Sequence, residues 1–236
     1  MTFREKALAA QRKNNSCLCV SLDIVPANSP ISIQQYDEPM LPFARAIIEA
    51  TQDVVCGYVI NPAYYLAEGA AGMVALERIV RAVPHDLPLI CDARLGEIEA
   101  GSYFLRGVFE QMKCDALTLG ISFFRSSLDK NNAYANQFYF YPAGTISDKG
   151  VKEYGGWVSA AKPESLLSFD LSTPWLVMNA AAHPSATRAF AKTHTTLRDG
   201  LRPLCAVGAE ILYASRTMNF AEDARKKALA LREQFS

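Results

Sequence analysis

The chain has 236 residues, half of them hydrophobic and a fifth charged, with 24 basic and 24 acidic side chains and a formal net charge of zero. That balance fits an ordinary globular protein and gives no electrostatic reason to expect nucleic acid or an anionic membrane surface as a partner. No apolar run approaches the ~20 residues of a membrane span, and the N-terminus lacks the basic-then-apolar profile of a secretion signal, so a cytoplasmic protein is expected.

Met1-Thr2-Phe3-Arg4-Glu5-Lys6 leads into a helical pattern, and the first short apolar run follows at 17–22. A helical pattern at 40–51 precedes a run at 54–60, and another at 70–82 precedes a run at 87–91. The pattern at 98–112 leads to a run at 116–119, after which runs recur at 138–141, 157–160 and 175–178 with less regular connections. A helix is predicted at 184–193, a last strand at 204–207, a short helix near 208–215 and a final one at 220–235. The final helix has Asn219 as its cap, Glu222 in its first turn, and Arg225, Lys226, Lys227 and Arg232 further along. Strands that are apolar throughout and alternate with helices indicate a parallel sheet covered by helices. Eight such units in this length predict an α/β fold, a parallel (β/α)8 TIM barrel forming one domain over 1–236. The polar, glycine-bounded stretch 144–150 reads as a surface loop, with a mobile lid as the alternative.

Six cysteines (Cys17, Cys19, Cys56, Cys91, Cys114, Cys205) lie in or beside apolar runs without a C-x-x-C spacing, which predicts reduced core thiols. His85, His183 and His194 belong to no metal-ligand pattern, so neither a metal nor a cofactor is expected.

One run carries chemistry. Leu89-Ile90-Cys91-Asp92-Ala93-Arg94-Leu95-Gly96-Glu97-Ile98 ends an apolar strand in three charged residues at spacing i, i+2 and i+5. On a strand, Asp92 and Arg94 point to the same face, with Glu97 following in the loop or at the next helix start. Ionised groups at the end of a buried strand must pair or meet a ligand. Three readings are open: a self-satisfied ion cluster at the barrel mouth, a ligand-binding group, or a catalytic group.

This run resembles the D-x-K-x-x-D motif of the orotidine 5′-phosphate decarboxylase family, and the resemblance continues along nearly the whole chain. Ser21-Leu22-Asp23 resembles the family's G-L-D, whose aspartate contacts ribose hydroxyls. Tyr58-Val59-Ile60-Asn61-Pro62-Ala63-Tyr64-Tyr65-Leu66-Ala67-Glu68-Gly69 resembles F-K-P-N-x-A-F-Y-E-x-x-G. Trp157-Val158-Ser159-Ala160-Ala161-Lys162-Pro163-Glu164 is similar to V-V-G-A-T-x-P-E. The segment from Trp175 to Pro184 lies where the family has F-L-V-P-G-x-G-A-Q-G. Ala209-Glu210-Ile211-Leu212-Tyr213-Ala214-Ser215 is similar to R-x-I-L-Y-A-S.

The departures fall at the working positions. Val59 stands where the family has a lysine, Arg94 replaces the proton-donating lysine, Glu97 replaces the second aspartate, and Ala209 stands at the phosphate-binding arginine. Met178, Asn179, Ala180, Ala181 and His183 occupy the phosphate loop. No lysine occurs between Lys13 and Lys113, so a register shift cannot restore the missing ones. Guanidinium stays protonated, so Arg94 can supply charge but is a poor general acid. A glycine loop lets backbone N–H groups approach a phosphate, which alanine at positive φ would hinder. The resemblance therefore implies a diverged barrel with little or no decarboxylase activity that binds a small anionic or nucleotide-like ligand or a partner subunit. The alternative is an active lyase of the pyrimidine (UMP) biosynthesis type, or an enzyme on a related anionic metabolite, using Asp92, Arg94 and Glu97. Asp23, Asn61 and His183 are the candidate ligand contacts, Asp23 being equally an ion-pair partner, while for His183 a loop residue without chemistry is the favoured reading. The resemblance further implies a homodimer with facing mouths, Glu97 reaching the neighbouring site, and a mixed dimer with an active paralogue as a variant.

Overall fold

The computed structural model of the protein describes residues 1–94, 101–120, 134, 137–143, 155–159, 173–193 and 200–235. Its centre is a closed barrel of eight strands in the order β1 to β8, every neighbouring pair parallel. The strands are β1 Leu18–Ser21, β2 Gly57–Ile60, β3 Leu89–Asp92, β4 Ala116–Thr118, β5 Phe138–Pro142, β6 Gly155–Ser159, β7 Trp175–Val177 and β8 Leu204–Val207. The described helices are α1 Phe3–Asn14, α2 Ile31–Gln34, α3 Met40–Thr51, α4 Pro62–Leu66, α5 Gly69–Ala82, α6 Gly101–Arg106, α7 Pro184–Thr193, α8 Ala209–Leu212 and α9 Phe220–Phe235. The TIM-barrel expectation holds, and all eight strands fall on the apolar runs that predicted them. The expected helix at 98–112 is less regular. Its first residues lie outside the described ones, and from Gly107 to Gln111 the described part widens into a π turn, beginning at the residue type least suited to an α-helical interior apart from proline. The loop 144–150 and residues 160–164 also lie outside the described residues. No described helix is long and apolar enough to cross a membrane.

Burial follows from two-sided packing. Every residue of β1, β2, β3 and β8 is buried, because one face lines the barrel and the other meets helices. Trp157 and Trp175 pack with ring centroids 6.2 Å apart, and Trp175 meets Phe190 of α7 edge-on at 5.3 Å. At the N-terminal end of the strands, Phe3 of α1 stacks on Phe138 at 4.4 Å and on the edge of Phe140 at 5.5 Å. Thr2 and Glu5 form a reciprocal capping box on α1. Lys6 reaches both carboxylate oxygens of Asp115 at 2.9 and 2.8 Å, and Asp115 also accepts the Leu89 N–H. Asn14 donates to the carbonyls of Gln52 and Val55. These contacts fix α1 beneath the barrel and set the heights at which β2, β3 and β4 begin.

All six cysteines are buried and free, as reduced core thiols should be.

Gly156 shows how tightly the interior is filled. A Cβ there would lie 2.7 Å from the Pro174 carbonyl oxygen and 2.8 Å from Phe140 Cε1. Gly156→Ala should therefore destabilise the protein by about 1–3 kcal/mol through overpacking. Urea denaturation would show this as a lower midpoint at unchanged slope.

Candidate active site at the barrel mouth

The parallel register stacks the inward-facing residues of β1 to β4 in rows. Ser21, Val59, Ile90 and Ala116 are aligned across the four strands. With side chains alternating in and out, the next inward row is Asp23, Asn61, Asp92 and Thr118, and Asp92 and Thr118 are direct partners. A row that is apolar except for Ser21 is thus followed immediately by a polar one at the C-terminal ends of the strands, the end where barrels of this kind carry their sites.

Asp92 is the last residue of β3 and is 1% exposed. Its carboxylate accepts from Arg94 Nε at 2.9 Å, from Arg94 Nη2 at 2.7 Å and from the Thr118 hydroxyl at 2.6 Å. This is a bidentate guanidinium–carboxylate fork reinforced by a neutral donor, the arrangement that offsets the desolvation of a buried charge. The expectation that Arg94 shares a strand face with Asp92 needs correcting. Strand β3 stops at Asp92, and Arg94 has φ of 37°. Its backbone turns left-handed while its N–H contacts the Thr118 carbonyl and hydroxyl at 3.2 and 3.3 Å. The turn, rather than strand alternation, brings the guanidinium back over the carboxylate. A non-glycine residue held at positive φ stores strain, a frequent mark of functional sites. The Arg94 side chain is 40% exposed, so one side of the fork faces outward.

Asp23 follows β1 by two residues, and its Oδ1 accepts the Asn61 N–H at 3.1 Å. Burial, and secondly the charge of Asp92, raise its carboxyl from the ordinary 3.8 to about 6, against the opposing pull of the Asn61 N–H and the Arg94 charge. That value poises Asp23 to exchange a proton near neutrality. Asn61 directly follows β2 and caps α4, its side-chain oxygen accepting the Ala63 N–H. The loop carrying Asp23 is braced from two sides. Tyr65 OH donates to the Leu22 carbonyl at 2.6 Å, and Tyr213 OH accepts the Val25 N–H at 2.7 Å.

Asp23, Asn61, Asp92 and Arg94 therefore come together on adjacent strands. His183 does not join this hydrogen-bonded group. It lies at the same end of the barrel but beyond β7, exposed, with its carbonyl accepting the Thr187 N–H at the start of α7. Glu97 lies outside the described residues. Beyond β8, Ala209 and Glu210 are both exposed, so an acidic side chain follows directly on the alanine. Among the described residues no three His, Cys, Asp or Glu side chains are grouped to hold a metal ion. Thr118, Tyr65 and Tyr213 were not singled out from the sequence. A lone hydroxyl between Leu117 and Leu119 in a buried strand was the available signal for Thr118.

No family profile matches the chain. An orotidine 5′-phosphate decarboxylase of Thermomicrobium roseum is 38% identical over 152 residues, covering 64% of this chain and 50% of that relative. The orotidine 5′-phosphate decarboxylase of Roseiflexus castenholzii is 30% identical across 99% of this chain and 97% of its own length. Among solved structures, the Leishmania donovani OMP decarboxylase superposes with a TM-score of 0.72 at 20% identity, covering 99% of this chain and all of that one, a likeness of fold.

The raised Asp23 carboxyl makes a prediction. Between pH about 4 and 6 the folded state holds a proton that the unfolded chain has already lost, so stability falls as pH rises through that window and the penalty is complete above it. Asp23→Asn keeps an acceptor for the Asn61 N–H and removes the charge. It should stabilise the protein by on the order of 2 kcal/mol at pH 7 and by almost nothing below pH about 4. Urea titrations of both proteins across that range check it, and a substitution that destabilises at pH 7 would contradict it.

Proposed function

The chain belongs to the orotidine 5′-phosphate decarboxylase family, and from that premise we propose that it is a diverged member with little or no decarboxylase activity. Its mouth binds a small anionic or nucleotide-like ligand, or serves a partner subunit. The observation that carries this reading is the Arg94–Asp92 fork, with contacts of 2.9 and 2.7 Å, at the position where the family motif places a lysine.

A decarboxylation of this kind leaves a carbanion that must be stabilised and then protonated. Arg94 offers charge, but a guanidinium does not release its proton at neutral pH. Its charge is also already committed to Asp92. Removing one well-aimed donor typically costs ~10²–10³ in rate, and here Val59, buried in the row beneath, adds a second loss. Ala209 removes a cationic phosphate contact, and the adjacent Glu210 opposes an anion there. In this reading Arg94's exposed edge receives the anionic group of a ligand, Asp23 and Asn61 contact its hydroxyls, and His183 contacts it from the β7 side. Glu97 supplies a further charge to the site.

A second reading is favoured by the exposed edge of Arg94 and the near-neutral Asp23. In it the protein is an active lyase of the pyrimidine type, or acts on a related anionic metabolite. Arg94 then stabilises charge, and Asp92, Glu97 or Asp23 moves the proton.

Incubation with orotidine 5′-monophosphate separates the readings. No turnover above trace is expected, and Arg94→Lys alone should not restore it, because Val59 and Ala209 remain. Robust decarboxylation abolished by Arg94→Ala would establish the second reading.

The proposed assembly is a homodimer, with a mixed dimer beside an active paralogue as its variant. Tyr64, Leu66, Met73 and Tyr103 expose apolar surface close to β2 and β3. A groove of about 480 Å³ lined by Pro62, Met73, Leu76, Tyr103 and Phe104 continues that surface between α5 and α6. Exposed apolar side chains beside such a groove support an interface on this face. Light scattering should report a dimer at micromolar concentration, and Met73→Glu combined with Tyr103→Glu should convert it to monomer. A wild-type monomer at tens of micromolar would remove the proposal.

A further inference from the structure

At the end of the barrel opposite the mouth, a cavity of about 570 Å³ opens between the end of α5, the turn leading into β3 and the chain that joins α6 to β4. Val80, Leu87, Leu89 and Met112 give it an apolar floor, and Arg81, His85 and Lys113 are exposed around it. Its size suits a small organic molecule, and such sites are lined in this way, by apolar side chains with a few polar groups among them.

The charges around this cavity are unequally committed. On the acidic side, Asp115 is held by Lys6 through both carboxylate oxygens and by the Leu89 N–H, and Glu110 accepts the Tyr134 hydroxyl. On the basic side, His85 and Lys113 have no hydrogen-bond or ion-pair partner among the described residues. Arg81 makes an exposed pair with Glu77, a contact of little net worth. Lys113 is also held in a conformation that its side chain disfavours. The Cys114 N–H folds back to the Val108 carbonyl at 3.0 Å, and Lys113 takes φ of 53°. Glycine is the relaxed occupant of such a position. Among the described residues, the other non-glycine positions with positive φ are Asn15, Asn179 and Arg94. Asparagine tolerates that conformation, and Arg94 belongs to the mouth. A cation kept at a strained position beside a cavity points to a use for its charge.

We propose that this cavity is a second ligand site, separate from the mouth, for a phosphate monoester with an aromatic body. Lys113 meets the phosphate as a point charge, His85 donates a hydrogen bond to it, and Arg81 shares its guanidinium between Glu77 and the phosphate. The ring lies on Val80, Leu87 and Met112, where its apolar area leaves water. With Asp115 already neutralised by Lys6, the acidic side chain left to oppose the dianion from the lining is Glu110.

The test titrates the full chain with naphthyl phosphate and follows the anisotropy of the probe's fluorescence. Saturable one-to-one binding is expected, with inorganic phosphate weaker by about tenfold or more because it lacks the ring. Lys113→Gly relaxes the backbone and removes the ammonium. It should weaken binding about tenfold, the worth of one charge-assisted hydrogen bond, while the urea midpoint stays level or rises. His85→Glu, at an exposed position, should weaken binding by at least as much without loss of fold. Hydrogen exchange with the probe bound should show protection at residues 79–89 and 107–115. Absence of saturable binding, equal affinity for inorganic phosphate, or wild-type affinity in both variants would each overturn the proposal. Protection confined to residues 21–25, 58–62 and 90–94 would also overturn it, by placing the probe in the mouth instead.

Discussion

Strand β1 closes the barrel by pairing with β2 on one side and with β8, from almost the other end of the chain, on the other. The second pairing is the most distant in sequence, and loop-closure entropy makes it costly to form before the intervening strands are in place. What holds it lies beneath and beside the seam. Helix α1 precedes β1 and is tied through Gln11 to Arg202 just before β8, through Asn14 to the approach to β2, and through Lys6 to the start of β4. Once this base is fixed, the register of every strand above it is fixed too, and with it the height at which each strand ends.

The mouth follows from that register. Because β1 to β4 are held in one parallel register, residues far apart in sequence form one polar row above a mostly apolar one, and Asp92 is buried within it. A carboxylate so placed requires donors, and Arg94 and Thr118 supply three hydrogen bonds. Part of the strain in the Arg94 backbone is offset by the fork it makes. The same arrangement limits chemistry. A guanidinium committed to a buried carboxylate neutralises that carboxylate well and transfers protons poorly. Asp23, one step aside with the Asn61 N–H as its hydrogen-bond partner, has its carboxyl raised to about 6 by burial and by the nearby charge of Asp92.

The residues that resemble the family fall into two physical groups. Tyr65 and Tyr213 brace the Leu22–Val25 loop through their hydroxyls, and Asn61 caps α4. These positions build the mouth whatever reaction it performs. At Val59, Arg94 and Ala209, by contrast, the side chains differ from the family motif. In barrels generally the scaffold does not dictate the reaction.

The sequence alone determined the eight strands, because an all-apolar run bounded by polar turns is buried on both faces wherever it lies. It also determined the barrel, and it marked Asp92 and Arg94, because charges that end such runs must be answered; Asp23 and Asn61 were marked by the resemblance to the family motifs. It did not determine that Arg94 leaves the strand and returns over Asp92 through a left-handed turn, since spacing alone assigned it to strand alternation. It did not show Thr118 as the third donor, or Tyr65 and Tyr213 as braces, since each acts on a residue dozens to hundreds of positions away. Composition and periodicity report the environment of a residue along its own segment. Which side chain satisfies which buried group is set by strand register and barrel closure, which only the folded chain defines.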